Sequence, residues 1–387
     1  MKVLKFDLLY PEEYFKEVQK DNKKLIDKMN LHEYIDWIHQ QKMGYGEVIT
    51  KEFKREGWEV VDYYFQDIIY FNKVKEYSGI RLSPFDFFSA KKRRAYYHAT
   101  LKDVFNAFTD KFTRDWILGE AYAWRFIEYY KPDIIFIREP IGMSNLMFEG
   151  LKKKYFIVSL VGCNMVGLKN WRMDFSNLIF TLFPEYKNYF NANGVDSELF
   201  EYGAVELEKY TGLKKYDVTF IGVLGTAVQL QKTELFERVA SSVDFKWWGI
   251  KGEMIEKFPN LKRTWQGFAA GTKMFDIYQQ SKIVLNDYPF NAKGGASNIR
   301  IKEVMSSGSM LLTRHSKDLD KYEGIGVLAT YNDAEDCLNK IKFFLNNESE
   351  RESIAAKGHR LSISEFSGQQ LMRPIISKIK EKYAASK

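Results

Sequence analysis

The chain has 387 residues, 45% of them hydrophobic, with a formal net charge of +7. That is more than one hydrophobic core usually serves, so two domains are expected, and the excess of cations suits an anionic partner: a nucleotide, nucleic acid or an anionic membrane surface. Two cysteines, Cys163 and Cys337, far apart in sequence, exclude a disulfide framework and a zinc site and fit a reducing compartment.

Residues 2–10, "KVLKFDLLY", read as a first strand, and 12–43 as polar helix. "GYGEVITKEFKREGWEVVDYYF" reads as a glycine loop, a helix, a glycine stop and a strand. A basic, aromatic helical region covers about 86–130. "KPDIIFIREP", "YFIVSLVG" and "NLIFTLF" are short buried strands. The pattern lapses near 205–216 and restarts with "DVTFIGVLG" as a strand and a helix to about 241. "VDFKWWG" and "LKRTWQG" are expected strands, "TKMFDIYQQS" a helix and "KIVLND" a strand. "SMLLT" and "GIGVLAT" follow as strands, then helices at about 333–346, 348–358 and 367–384. Short apolar strands alternating with helices imply parallel sheets covered on both faces, and the pattern occurs twice. The domains expected are therefore 1–205, 206–366 and a terminal helix, 367–387. The N-terminus lacks a signal-peptide core, and the apolar run at 155–168 is too short to span a bilayer. A cytoplasmic protein is expected.

The stretch "LNDYPFNAKGGASNIRIKEVMSSGSMLLT", 285–313, carries the most chemistry. It reads as strand, glycine loop, helix, strand, and ligands of such units sit beyond the carboxyl end of the strand. Gly294 and Gly295 let the backbone approach a ligand, and Ser297 or Asn298 can cap the helix. A helix N-terminus favours phosphate, and Arg300 suits it too. Glu303 repels phosphate but can accept hydrogen bonds from a ribose diol. The other reading is an ordinary crossover whose Arg300 and Glu303 form an exposed pair. The stretch matches neither the dinucleotide fingerprint nor the P-loop.

These residues resemble the CgeB-like glycosyltransferases of the GT-B fold, with a group 1 type C-terminal domain. The resemblance is carried by "YDVTFIGVLG", "MFDIYQQSKIVLND", "SNIRIKEVMSSGSMLLT" and "LNNESERESIAAKGHR", and more loosely by "EGWEVVDYYFQD" and "KPDIIFIREP". It implies an α/β fold of two Rossmann-like domains facing a cleft, the last helix crossing back to the first domain. It implies a hexosyltransferase that moves a sugar from a nucleotide-diphosphate-sugar to a hydroxyl acceptor, a glycan or lipid-linked glycan of the cell surface. By analogy Glu303 binds the ribose and the Gly294–Asn298 loop the diphosphate. Gly222 and Gly225 form the first glycine turn of the second domain, and Gly267 and Phe268 lie near the base. Retaining relatives carry a second glutamate eight positions before the one matching Glu303; here that position is Gly295. A nucleotide-sugar epimerase and a binding scaffold without catalysis are the alternative readings.

Without a metal, Lys293 and Arg300 are the candidates to neutralise a departing diphosphate. Asp318-Leu319-Asp320 reads as a solvated turn rather than a metal motif, and no cofactor is expected. Glu139, ending a buried strand, is the candidate base, with His32, His39, His98, His315 and His359 as others. Gly44, Tyr45 and Gly46 are the candidate acceptor-side loop. Basic clusters at 89–98 and 151–156 could touch anionic lipid headgroups at the inner membrane face, a solvated helix face being the plainer reading. No nucleic-acid motif is present.

Overall fold

The computed structural model describes residues 1–9, 11–65, 67–86, 111–139, 145–162, 174–208, 210–287 and 299–387. The chain divides into two compact units, Met1–Glu201 with Met372–Lys387, and Tyr202–Leu371.

The first unit is built on strands β1 (Lys2–Asp7), β2 (Glu59–Tyr64), β3 (Ile134–Arg138), β4 (Phe156–Val161), β5 (Leu178–Thr181) and β6 (Ser197–Leu199). They form one sheet in the order β2-β1-β3-β4-β5-β6, and every pair is parallel. Helices cover both faces of such a sheet, so its strands are apolar throughout: Ile134–Ile137 of β3 and Phe156–Val161 of β4 are all buried. The charged exception is the β1–β2 pair, where Lys5 sits fully buried opposite Asp62. The helix Gly46–Arg55 starts at the glycine loop and stops before Gly57, whose φ is 78°. The last helix, Gly368–Ala385, begins in the second unit, and from Met372 onward it belongs to the first. Met372, Ile375, Ile376 and Ile379 are buried, and Tyr383 donates to Asp133 Oδ1 at 3.0 Å.

The second unit has strands β7 (Tyr216–Ile221), β8 (Phe245–Trp248), β9 (Ser281–Asn286), β10 (Met310–Arg314) and β11 (Ala329–Tyr331), all parallel in the order β11-β10-β9-β7-β8. Val218, Phe220, Trp247, Ile283, Leu285 and Leu312 form the centre of its core. One expected element is different. "LKRTWQG" is not a strand: Pro259–Thr264 is a helix with proline in its first turn, where a missing N–H costs nothing. Trp265, just beyond it, makes only an isolated bridge to Trp247. In "GIGVLAT" only the end is strand, Ala329–Tyr331. The helices Ile68–Ser78, Asn145–Lys152 and Pro184–Ala192 and the short strand β6 are among the elements that the sequence pattern left unread.

Candidate functional site

In each sheet the strand order reverses direction once, between β1 and β3 in the first and between β7 and β9 in the second. Crevices at the carboxyl ends of strands that flank such a reversal are where open α/β sheets take ligands.

In the second unit three loops meet beside this point, at the ends of β7 and β8. Gly222 follows β7, Gly249 follows β8, and Gly267 belongs to the chain returning from the helix Pro259–Thr264. Gly222 N–H donates to the Trp248 carbonyl and Gly249 N–H to the Gly267 carbonyl, both at 2.9 Å. Gly249 has φ 139°, and a Cβ there would lie 1.8 Å from the Gly222 carbonyl oxygen, so only glycine lets the loops close. Gly225 ties the next turn: its N–H donates to Thr233 Oγ1 at 3.0 Å and its carbonyl accepts from Met254 N–H at 2.7 Å. The Phe268 carbonyl accepts from Lys273 Nζ at 2.8 Å.

The helix Ile299–Ser307 brings Arg300 and Glu303 to this corner, while Ile301, Val304 and Met305 face the core. Arg300 Nη1 donates to Asn286 Oδ1, the last residue of β9, at 3.0 Å. The Asn286 amide in turn donates to Thr313 Oγ1 at 3.0 Å. The guanidinium lies 5.4 Å from the Phe220 ring centroid, and a Cβ at Gly222 would press on that ring, 2.7 Å from its Cζ. Neither Arg300 nor Glu303 is solvent-exposed, so the exposed-pair reading does not describe them. Burial pushes the Glu303 carboxyl up to about 7, with Arg300 pulling the other way. Lys293, Gly294, Gly295, Ser297 and Asn298 lie outside the described residues.

Lys232 joins the cluster and was not singled out in the sequence. It sits on the helix Leu230–Ser242, is buried, and its Nζ is 5.4 Å from the same Phe220 ring. Burial and the nearby Arg300 bring its pKa down to about 8, while Asp287 raises it. Asp287 itself accepts from Arg314 Nε at 3.0 and 3.1 Å and from the Tyr331 hydroxyl at 3.2 Å. Burial raises its pKa despite the Arg314 and Lys232 cations. In "QLQKTELFERV" Lys232 reads as a helix-surface lysine, and only the fold places it beside Arg300.

In the first unit the reversal point holds a buried ion network. Lys5 Nζ bonds Asp7 Oδ2 at 2.5 Å, Asp62 Oδ2 at 3.1 Å and the Gly46 carbonyl at 3.0 Å. Arg138 at the end of β3 pairs with Asp7 Oδ1 and donates to the Leu8 carbonyl at 3.0 Å. Arg138 and Lys5 hold Asp7 below the usual carboxylate range against its burial, and Lys5 and His39 do the same for Asp62. The loop Gly44-Tyr45-Gly46 lies against this network. Gly44 has φ 110°, a Cβ there would be 3.4 Å from Arg138 Nη2, and Tyr45 is buried. Glu139 has φ 53°, and its Oε1 accepts from Gly162 N–H at 2.8 Å, which fastens the ends of β3 and β4 together.

The histidines scatter. His39 Nε2 is 2.6 Å from Asp62 Oδ2, His315 Nε2 is 2.9 Å from Asp320 Oδ1, and His359 Nδ1 is 3.0 Å from the Ser306 carbonyl. His32 packs edge-on against Tyr77, and His98 lies outside the described residues. Among the described residues no three His, Cys, Asp or Glu side chains group as metal ligands, and no helix is long and apolar enough to cross a membrane.

Residues 231–377 match the family model described as "Glycosyl transferase-like". Two solved structures align over nearly the full length of both chains. A glycosyltransferase from Rickettsia africae ESF-5 has TM-score 0.56 at 12% identity, covering 98% of each chain. Sucrose-phosphate synthase from Thermosynechococcus elongatus has TM-score 0.55 at 9% identity, covering 100% of each. The fold is GT-B. A UDP-GlcNAc 2-epimerase from Neisseria meningitidis, bound to UDP-GlcNAc, shares it at TM-score 0.50 and 11% identity, over 99% of this chain and 100% of that one. No curated protein matches the sequence.

Proposed function

We propose that this GT-B protein is a glycosyltransferase that moves a sugar from a nucleotide-diphosphate-sugar to a hydroxyl acceptor. The observation that carries the reading is the corner of the second unit. There Arg300 and Lys232 flank the Phe220 ring beside the glycine turn of β7, and Glu303 stands one helical turn behind Arg300. Two cations next to open backbone suit a diphosphate, and a set-back carboxylate suits a ribose diol. The match of residues 231–377 to glycosyl transferase-like proteins spans Lys232, Arg300 and Glu303.

In this reading Arg300 and Lys232 stabilise the charge that gathers on the diphosphate as the bond to the sugar breaks, with Lys293 assisting from the loop before the helix. Gly222, Gly225, Gly267 and Phe268 shape the bed of the nucleotide. Gly294, Gly295, Ser297 and Asn298 supply the phosphate loop, and Gly44, Tyr45 and Gly46 border the acceptor. Glu139 is the candidate base, at the end of β3, where its Oε1 accepts from Gly162 N–H. Donor binding needs no metal in this scheme. The acceptor proposed is a glycan or lipid-linked glycan, met from the cytoplasmic side.

Release of nucleoside diphosphate from UDP-, GDP- or dTDP-sugars, measured with and without glycan acceptors, tests the reading. Release only when acceptor is present supports transfer. Conversion of the donor without acceptor would replace it by epimerisation, which the shared fold of the meningococcal epimerase makes the second reading.

A further inference from the structure

The first unit contains a cavity of about 590 Å³ on the flank of the helix Gly46–Arg55, lined by residues of that helix and by His39 and Gln40 at the end of the helix Leu31–Gln40. We propose that this cavity binds a neutral sugar unit and that Glu47 takes one of its hydroxyls. The helix starts beside Asp7, at the carboxyl end of β1, and leads to the start of β2. The cavity borders it from Glu47 in the first turn to Arg55 in the last, so it runs down the side of the unit rather than across the strand ends. It shares no residue with the proposed nucleotide site and does not depend on that reading.

Its volume falls in the range of small-molecule sites and far exceeds the space of one bound water. The lining is of two kinds. Lys51, Lys54 and Arg55 contribute long methylene stems, an apolar surface on which the C–H face of a sugar ring can rest. The heads of Arg55 and Lys54 are engaged by Glu52 at 2.6 Å and by Asp36 at 4.0 Å. The other lining groups suit hydroxyls. Thr50 Oγ1 and His39 Nε2 are both fixed on Asp62, at 2.7 and 2.6 Å, which holds the imidazole in place. Gln40 adds an amide that can both donate and accept.

Glu47 is the second observation. Its Oε1 is buried with no hydrogen-bond partner among the described residues. A buried polar atom left unsatisfied is costly, and such atoms in native proteins call for a partner. The charged groups facing it are His39 of the neighbouring helix, Lys5 of β1 and Arg138 of β3, with Asp7 and Asp62 behind them in the buried network. Burial pushes the Glu47 carboxyl up to about 7, although its own backbone, His39, Lys5 and Arg138 all pull it down. Acid and carboxylate therefore coexist near neutral pH. A hydroxyl donates to the carboxylate or accepts from the acid, so it satisfies Glu47 in either form. A phosphate suits only the acid, and an ammonium group suits only the carboxylate. The group that fits at every pH near neutrality is an uncharged hydroxyl.

Ligand-observed NMR titration of the full chain with glucose, galactose, mannose and N-acetylglucosamine tests this. At least one should bind saturably, with an affinity that changes less than about threefold between pH 6 and pH 8. A ligand that needed one form of a group titrating near 7 would change about tenfold over that span. Glu47→Gln keeps both an acceptor and a donor and should hold the sugar within about threefold of wild type. Glu47→Ala removes the partner of the hydroxyl and should weaken binding about tenfold or more. Lys54→Trp, which adds bulk at an exposed position of the lining, should abolish it, and decides the matter if Glu47→Ala does not fold. Arg300→Ala, in the second unit, should leave the sugar bound. No saturable binding of any of the four sugars overturns the site, as does a tenfold change with pH. Wild-type affinity in folded Glu47→Ala or in Lys54→Trp overturns it too, and so does loss of binding in Arg300→Ala, which would move the ligand to the second unit.

Discussion

Both reversal points hold an arginine, and the two are held differently. In the first unit Arg138 is pinned by the carboxylate of Asp7, which also takes Lys5. In the second unit Arg300 is held by a neutral amide, Asn286, and stands beside Lys232. The Asp7 carboxylate offsets the charges it orients, while the neutral Asn286 amide orients Arg300, whose charge acts on the nearby Glu303 carboxyl. The first arrangement is a buried ion network, and in the proposed function the second meets an anionic guest. In the proposed function, equivalent places in two similar sheets thus serve stability in one unit and ligand chemistry in the other.

The largest expected effect breaks the first half of that comparison. Asp7→Asn leaves Arg138 and Lys5 without their shared carboxylate, and removing one partner of a buried ion network costs about 3–5 kcal/mol. Denaturant unfolding should show that loss, and an unchanged midpoint would mean that the network is not structural. Arg300→Ala should do the opposite: fold nearly as well, and lower kcat by about 10²–10³ while changing donor KM less. Near wild-type kcat would return Arg300 to a packing role.

Glu303→Ala should weaken nucleotide binding by about 1.5–3 kcal/mol, read by calorimetry on the folded variant. Glu303 also sharpens the comparison through pH. Its carboxyl titrates near 7 when folded, above its ordinary 4.5. The folded state therefore holds a proton that the unfolded chain releases, and stability falls as pH rises between those values. Glu303→Gln removes this penalty, so its melting temperature should exceed wild type by a few degrees at pH 8 and match it near pH 4.5. A diol prefers the carboxylate, and a diphosphate prefers Lys232 protonated, with its pKa near 8. Nucleotide affinity should accordingly peak between about pH 7 and 8. The smallest expected effect is none: excess EDTA should leave transfer unchanged, and activity restored by Mn²⁺ or Mg²⁺ would require a metal site.

Much of the fold is legible because buried parallel strands are apolar runs. "IIFIR" and "FIVSLV" could be little else, and Gly57 stops its helix as its position suggests. "LKRTWQG" misled because its tryptophan and threonine suit a strand, while the helix start at Pro259 lay just upstream. The candidate site was legible where chemistry is local, as with Arg300 and Glu303 on one helix. It was hidden where partners are distant. Lys5 meets Asp62 only through strand register, and Lys232 meets Arg300 only through the order of β7 and β9. Glu139 stands at a strand end, as its place in the sequence implies, and there its Oε1 accepts from Gly162 N–H.

The path of the last helix bears on how the protein is made. The first unit is not contiguous: Met372–Lys387 completes it after the whole second unit has been synthesised. Until then the surface that receives Ile375, Ile376, Ile379 and Tyr383 has no cover, and Asp133, Asp196, Glu198 and Glu56 lack the partners Tyr383, Lys382, Lys378 and Lys380. A ribosome therefore carries an N-terminal half that stays sticky while the C-terminal half emerges. Domains translated in one piece can close as they leave the tunnel, but this one waits until Met372–Lys387 has emerged. Cutting the chain at the boundary between the units would cost the first unit its lid rather than release a self-sufficient half.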